Sequence, residues 1–296
     1  LDKTNLPPLN DVQLADVKIN TELTIVLFYI YLDQRSTAIY RSFLEAANIL
    51  AVESLDKQVL RTMECFDWSH ICRKEDMNIY PSIRIYRSSG DWVPYDGIFS
   101  TEAFVSLAKL YTAQAPYQLT SAGEANQFMD GQLPPNIVSY TDTAVLGLFD
   151  KDQTTEIAKF KDAADKAQGK LLYAIATGDL AQQLAKQYNT QTPNVVINKR
   201  NDKYQPITII SEICPVAIAN AAEPIFPELT ASSFVRYLEM NKPFVILFTD
   251  KKESPLHDTL ADLVKENRFP DLILVWMNAE KVGSPGARIL LDYDSK

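Results

Sequence analysis

Residues 59–110 read VLRTMECFDWSHICRKEDMNIYPSIRIYRSSGDWVPYDGIFSTEAFVSLAKL, and their order decides the fold. A β-rich run, Val59 to Phe66, leads into a short polar helix, Ser69 to Met77. Tyr80-Pro81 follows, then an apolar strand from Ile83 to Tyr86. The turn Ser88-Ser89-Gly90-Asp91 joins it to a second strand, Trp92 to Tyr95. Two strands linked by a glycine-containing turn form a hairpin. Gly97 ends that strand, and an amphipathic helix from Thr101 to Tyr111 closes the unit. A proline at the mouth of a strand marks an edge, a strand start or a cis bond.

Upstream, Leu6 to Val17 carries Pro7-Pro8 and then Leu9, Val12, Leu14 and Val17, which predicts a short helix after a proline start. Leu23 to Leu32 is a continuous apolar run, LTIVLFYIYL, rich in β-branched and aromatic residues. Such a run suits a central strand covered on both faces. Thr37 to Ala51 places Ile39, Phe43, Leu44, Ala47 and Leu50 at helical spacing. The first 115 or so residues therefore read β–α–β–α–β–β–α, with parallel strands joined by helical crossovers.

This order resembles the thioredoxin domain of the protein disulfide isomerase family. Tyr80-Pro81-Ser82 stands where that family has Tyr-Pro-Thr with a cis proline, and Tyr95-Asp96-Gly97 stands where it has Tyr-x-Gly before the last helix. Cys65 and Cys72 match a non-catalytic cysteine pair of some members. The resemblance implies cis bonds at Tyr80-Pro81 and at Thr192-Pro193. It also implies an α/β fold of tandem thioredoxin-like domains, two complete and a third partial.

The family's Phe-Tyr-Ala-Pro-Trp-Cys-Gly-His-Cys is replaced here by Phe28-Tyr29-Ile30-Tyr31-Leu32-Asp33-Gln34-Arg35-Ser36. Asp33 and Ser36 stand in place of the two sulfurs. Thiol–disulfide exchange needs a thiolate at a helix N-terminus, where the dipole lowers its pKa. A carboxylate and a hydroxyl cannot attack a disulfide. They do suit a helix start, as a counter-charge to the dipole and a cap for its amides.

The same order of elements recurs after Ala115-Pro116-Tyr117, which reads as a linker. Ser121 opens a helix to Asp130, with Glu124 as its capping-box partner. Ile137 to Tyr140, Ala144 to Phe149 and Leu171 to Thr177 read as strands. Thr154 to Gln168 and Asp179 to Tyr188 read as helices, the second with Asp179 as N-cap. After Thr192-Pro193, Asn194 to Asn198 pairs with Tyr204 to Ile210, and Ile213 to Ala222 is the last helix. This is an internal repeat of order rather than identity. Val145 to Asp150, with Phe160, Ala163 and Ala164, resembles the redox-inactive second domain of the isomerases; no cysteine stands at its helix start.

A third unit begins near Pro227. Leu229 to Met240 reads as a helix, Asn241 to Asp250 as a strand and its exit, Pro255 to Asn267 as a helix and Leu272 to Asn278 as a strand. The strand entry resembles that of the family's third, client-binding domain. Gly286 to Asp292 begins another helix, so the chain reads as cut within this unit. The expected domains are 1–116, 117–227 and 228–296.

Composition bounds the function. Of 296 residues, 46% are apolar and 23% charged, ordinary values for a folded protein. The net charge of −9, from 29 basic and 38 acidic residues, argues against nucleic acid and against anionic membranes as partners. The longest apolar run is far short of the roughly 20 residues that span a bilayer. Leu1-Asp2-Lys3 opens no signal peptide. The three cysteines and two histidines lack zinc spacing, and no metal site or cofactor is expected. Asp250, Glu253 and Asp258 lie near one loop but without the spacing of a calcium loop.

From the residues alone, Cys65 and Cys72 are either a disulfide or two buried thiols; a reducing compartment favours thiols. The resemblance places the chain in the oxidising endoplasmic reticulum lumen and favours a structural disulfide. Cys214 reads as buried and inert, His70 and His257 as solvent-facing. The resemblance implies a non-catalytic lumenal protein that binds unfolded or secretory client polypeptides, or another lumenal oxidoreductase. Two alternatives remain: a low-affinity calcium store of the calsequestrin type, for which −9 is a modest charge, and an oxidoreductase whose active pair lies outside this stretch.

Overall fold

A computed structural model describes residues 5–53, 59–88, 92–95, 97, 99–133, 143–200, 202–229, 237–238, 240–249 and 254–278. The strand expected at Ile137–Tyr140, the helix at Gly286–Asp292, the turn residues Ser89–Asp91 and most of the helix at Leu229–Met240 lie outside them, as do Asp250 and Glu253. Two compact units share the chain, the first around a four-stranded sheet, the second around the strand at 143–149 and the described residues from Ile175 onward. The architecture is α/β, built of tandem thioredoxin-like domains.

The four-stranded sheet runs β2 (Leu60–Glu64), β1 (Leu23–Tyr29), β3 (Ser82–Arg87), β4 (Trp92–Pro94). β1 is parallel to β2 and antiparallel to β3, which pairs antiparallel with β4. Side chains alternate across β1. Ile25 and Leu27 join Ile39, Phe43 and Leu50 of α2 (Gln34–Val52) and Phe104 and Leu107 of α4 (Thr101–Thr112) in one core. Val26 and Phe28 join Leu14 and Val17 of α1 (Asp11–Asn20) and Cys72 of α3 (Ser69–Lys74) in the other. Helices on both faces are what make a continuous apolar strand stable here.

The first helix starts later than the prolines suggest. Asn10 is its N-cap: its side chain accepts from the Gln13 amide and the Gln13 side chain accepts from the Asn10 amide, a reciprocal capping box. Pro7 and Pro8 instead run extended beside β2, where Pro8 bridges to Thr62 and the Leu9 amide donates to the Thr62 carbonyl at 2.7 Å. Proline offers no amide to a helix but its carbonyl still serves a strand edge.

The second sheet has the order β5 (Tyr117–Gln118), β7 (Leu172–Thr177), β6 (Thr143–Phe149), β8 (Asn194–Lys199), β9 (Ile207–Ile210). The linker residues Tyr117 and Gln118 thus form a strand. β8 is antiparallel to both β6 and β9. The helices are α5 (Ala122–Met129), α6 (Thr154–Lys166), α7 (Asp179–Gln187) and α8 (Pro215–Ala222). At α5 the Glu124 carboxylate accepts from the amide and hydroxyl of Thr120, one residue beyond the capping-box position. Asp179 is not the N-cap of α7. Gly178 is, at φ 64°, a left-handed conformation glycine adopts without steric cost; its amide donates to the Phe149 carbonyl at 2.9 Å.

Past residue 240, β10 (Phe244–Thr249) pairs in parallel with β11 (Ile273–Asn278), joined through α9 (Pro255–Lys265). Among the described residues no helix is long and apolar enough to cross a membrane.

Candidate functional site: the start of α2 and the loops beside it

In a β1–β2–β3 sheet of this register, three chain segments meet at one end. They are the exit of β1 after Tyr29, the exit of β2 after Glu64 and the entry to β3 before Ser82. Pairing fixes this: Tyr29 lies beside Glu64, and Phe28 lies opposite Ser82. Asp33, Ser36, Cys65, Tyr80 and Pro81 therefore all lie at that end.

Asp33 is the N-cap of α2. Its carboxylate accepts from the Ser36 amide at 2.7 Å, and that hydrogen bond is the first reason its pKa lies below the usual carboxylate value. Ser36 is fully buried. The chain between β1 and α2 turns tightly, with the Asp33 amide donating to the Ile30 carbonyl and the Thr37 hydroxyl to the Tyr31 carbonyl, both at 3.1 Å. The Tyr80–Pro81 bond is cis, and Pro81 is buried.

Glu64 organises the two exit loops, a role that no local sequence pattern signals. Its carboxylate accepts from the amides of Tyr31 at 3.2 Å, Phe66 at 3.1 Å and Asp67 at 2.7 Å. The rings of Tyr31 and Phe66 meet edge to face, 5.4 Å apart. Burial, then the neighbouring Tyr40, Glu64 and Asp67, pushes the Tyr29 phenol up to about 12. Burial and then Glu64 also raise Tyr80.

Cys65 and Cys72 are joined in a disulfide, with their Cα atoms 5.8 Å apart. Both sulfurs are interior, at 3% and 0% residue exposure. Cys65 directly follows β2 and Cys72 lies in α3, so the bond encloses the segment that carries Phe66 and Trp68. His70 is exposed, on α3.

The equivalent end of the second sheet is polar. Asp150, directly after β6, accepts from the Thr192 hydroxyl and from Gln182 Nε2 at 3.0 Å. These two bonds, Thr192 first, hold its pKa below the ordinary carboxylate value. The Thr192–Pro193 bond, like Ala115–Pro116, is cis.

Two residues differ from their sequence reading. Cys214 is only half-buried; its sulfur is the N-cap of α8 and accepts from the Ala217 amide at 3.3 Å. His257 is 1% exposed rather than solvent-facing. It sits among Phe226, Trp276 and Tyr204, with ring centroids 4.7, 5.5 and 6.1 Å away. Tyr204 Oη lies 3.0 Å from His257 Nδ1 and 2.5 Å from Asp258 Oδ1. A carboxylate only accepts, so Tyr204 donates its single proton to Asp258 and accepts from Nδ1–H of His257. Asp258 also pairs with Lys203 at 2.5 Å. Among the described residues no three His, Cys, Asp or Glu side chains are grouped to hold a metal ion.

Human thioredoxin domain-containing protein 16 is 26% identical over 286 residues, which cover 93% of this chain and 34% of that protein. The protein disulfide-isomerase of Aspergillus niger is 23% identical over 212 residues, 71% of this chain and 38% of its own. The chain is a homologue of the protein disulfide isomerases. As an isomerase homologue it spans about a third of the first of these relatives. No protein-family model matches the chain. Among solved structures, human ERp44 in its form II crystals superposes with a TM-score of 0.50 at 17% identity, over 96% of this chain and 77% of that one. That likeness supports the thioredoxin-like fold alone. At the start of α2 this chain carries a capping carboxylate, Asp33, and a buried hydroxyl, Ser36.

Proposed function

We propose that the chain is a non-catalytic, lumenal member of the isomerase group that binds client polypeptides or a partner oxidoreductase. Its thioredoxin-like units are those at 1–116, 117–227 and 228–296, and its home is the endoplasmic reticulum. The observation that carries this reading is the Asp33–Ser36 cap. Exchange begins with a thiolate attacking a sulfur, and at this helix start the attacking position holds a carboxylate bonded to a backbone amide. In the second unit Gln153 stands directly before α6, as Asp33 stands before α2, and Asp150 three residues earlier is engaged by Thr192 and Gln182. The surrounding end of the first sheet keeps exposed rings, the usual currency of polypeptide recognition. The Cys65–Cys72 bond fits an oxidising compartment.

The test pairs two measurements on the same chain. In the first, dithiothreitol-driven insulin reduction should proceed at the buffer rate. In the second, a reduced, unfolding client should aggregate more slowly in the chain's presence. Turnover like that of an active isomerase would overturn the non-catalytic part, and unchanged aggregation would overturn client binding.

A further inference from the structure

We infer that the exits of β1 and β2 form a docking face for an extended polypeptide segment that alternates basic with aromatic or large aliphatic side chains. This rests on the proposed client-binding reading and narrows it to one place and one ligand chemistry. Tyr31, Leu32 and Phe66 are 49%, 66% and 53% exposed. Large apolar side chains left open on adjacent loops mark interaction sites. These are not loose loops. The Glu64 carboxylate ties Tyr31 to Phe66 and Asp67 through three amides. The disulfide closes the Phe66–Ile71 segment from behind. Thr37 holds the Tyr31 carbonyl. Rings fixed before binding lose little conformational entropy on docking, which favours affinity.

Charge selects the partner. Glu64 lies between the two loops, bonded to the amides of Tyr31, Phe66 and Asp67, and Asp33 and Asp67 stand on the same loops in sequence, against one cation there, Arg35. A guanidinium or ammonium group placed over Tyr31 or Phe66 meets the negative face of a ring with a carboxylate close by. An anionic segment or lipid surface meets repulsion there. After the central strand of the second sheet, by contrast, Asp150 is taken up by its own neighbours, Thr192 and Gln182.

The probe is a fluorescein-labelled nine-residue peptide alternating Arg and Phe, compared with Glu/Phe and Arg/Ser versions by fluorescence anisotropy. The Arg/Phe peptide should bind at least about tenfold more tightly than either control. Phe66→Ser and Asp67→Lys should each weaken it by about tenfold, with circular dichroism unchanged because both side chains are exposed. Val52→Ser, at an exposed apolar position on α2 of the same unit, should leave it unchanged. Equal binding of Arg/Phe and Glu/Phe overturns the charge selection. Full affinity in both face variants overturns the site, while retarded client aggregation in those same variants leaves the broader reading standing. No binding by any peptide overturns this inference; if aggregation is also unaffected, the client-binding reading falls with it.

Discussion

The Ser36 backbone amide donates to the Asp33 carboxylate over 2.7 Å. The two residues that stand at the thiol positions are thus bonded to each other as a helix cap. The carboxylate closes the first turn of α2, and the charge on Asp33 matters to that cap.

That charge gives a pH dependence with a definite sign. Hydrogen bonding in the folded state holds the Asp33 pKa below its ordinary value. Its contribution to stability is therefore complete above the unfolded pKa of about 3.9 and is lost as pH falls through the folded value. Asp33→Asn keeps a capping oxygen without a titrating group, so the variant should lose less stability on acidification. Parallel denaturant titrations of both proteins at several pH values between neutrality and acid check this; an identical pH slope would show that Asp33 does not contribute.

On the proposed reading, introducing two sulfurs at these positions should introduce thiol chemistry. The double variant Asp33→Cys, Ser36→Cys places one thiol at the N-cap of α2 and the other in its buried first turn. The helix dipole then lowers the pKa of the first thiol. We expect insulin reduction above the buffer rate, with dithiothreitol as the electron source, where the unaltered chain has none. An inactive but folded double variant would mean that the neighbouring loops, as well as the thiols, have departed from a working site.

The Cys65–Cys72 bond should be structural. Closing so short a loop stabilises by about 2–3 kcal/mol in the loop-entropy model, a large part of a marginal total. Cys65→Ala with Cys72→Ala should lower the free energy of unfolding by that amount, read from denaturant titration. Non-reducing peptide mapping should find the two residues in one linked species and Cys214 as a thiol. Rapid alkylation of Cys65 and Cys72 in the native, unreduced chain would contradict the linkage.

Tyr204→Phe tests the contact around His257. The change removes the acceptor of the Nδ1–H bond and the donor to Asp258 together. Losing the partner of a buried donor costs about 1–3 kcal/mol. His257 is 1% exposed, so water cannot replace the lost oxygen without opening the packing against Phe226 and Trp276. Differential scanning calorimetry should show a lower midpoint; an unchanged one would mean that the hydroxyl's bond to His257 contributes nothing net.

The sequence by itself determined most of the described elements and their order, though not β5, whose residues Tyr117 and Gln118 read as a linker. The apolar run from Leu23 predicted a strand buried on both faces, and β1 is that strand, with Ile25 and Leu27 on one core and Val26 and Phe28 on the other. The spacing of Ile39, Phe43, Ala47 and Leu50 predicted α2, and the absence of sulfur at Asp33 and Ser36 was plain from the letters. Such signals are local, because backbone periodicity repeats within a few residues. Tertiary structure decided where caps and burial fell. Pro8 went to the edge of β2, so α1 began at Asp11. The Phe149 carbonyl took the Gly178 amide, so a glycine rather than Asp179 capped α7. His257 looked solvated beside Asp258, but Tyr204, Phe226 and Trp276 enclose it from distant parts of the sequence. Glu64 became the organiser of the exit loops because β1 and β2 end side by side. Each of these depends on which polar group or ring the packed sheets bring near, and that choice is made by contacts between residues far apart in the chain.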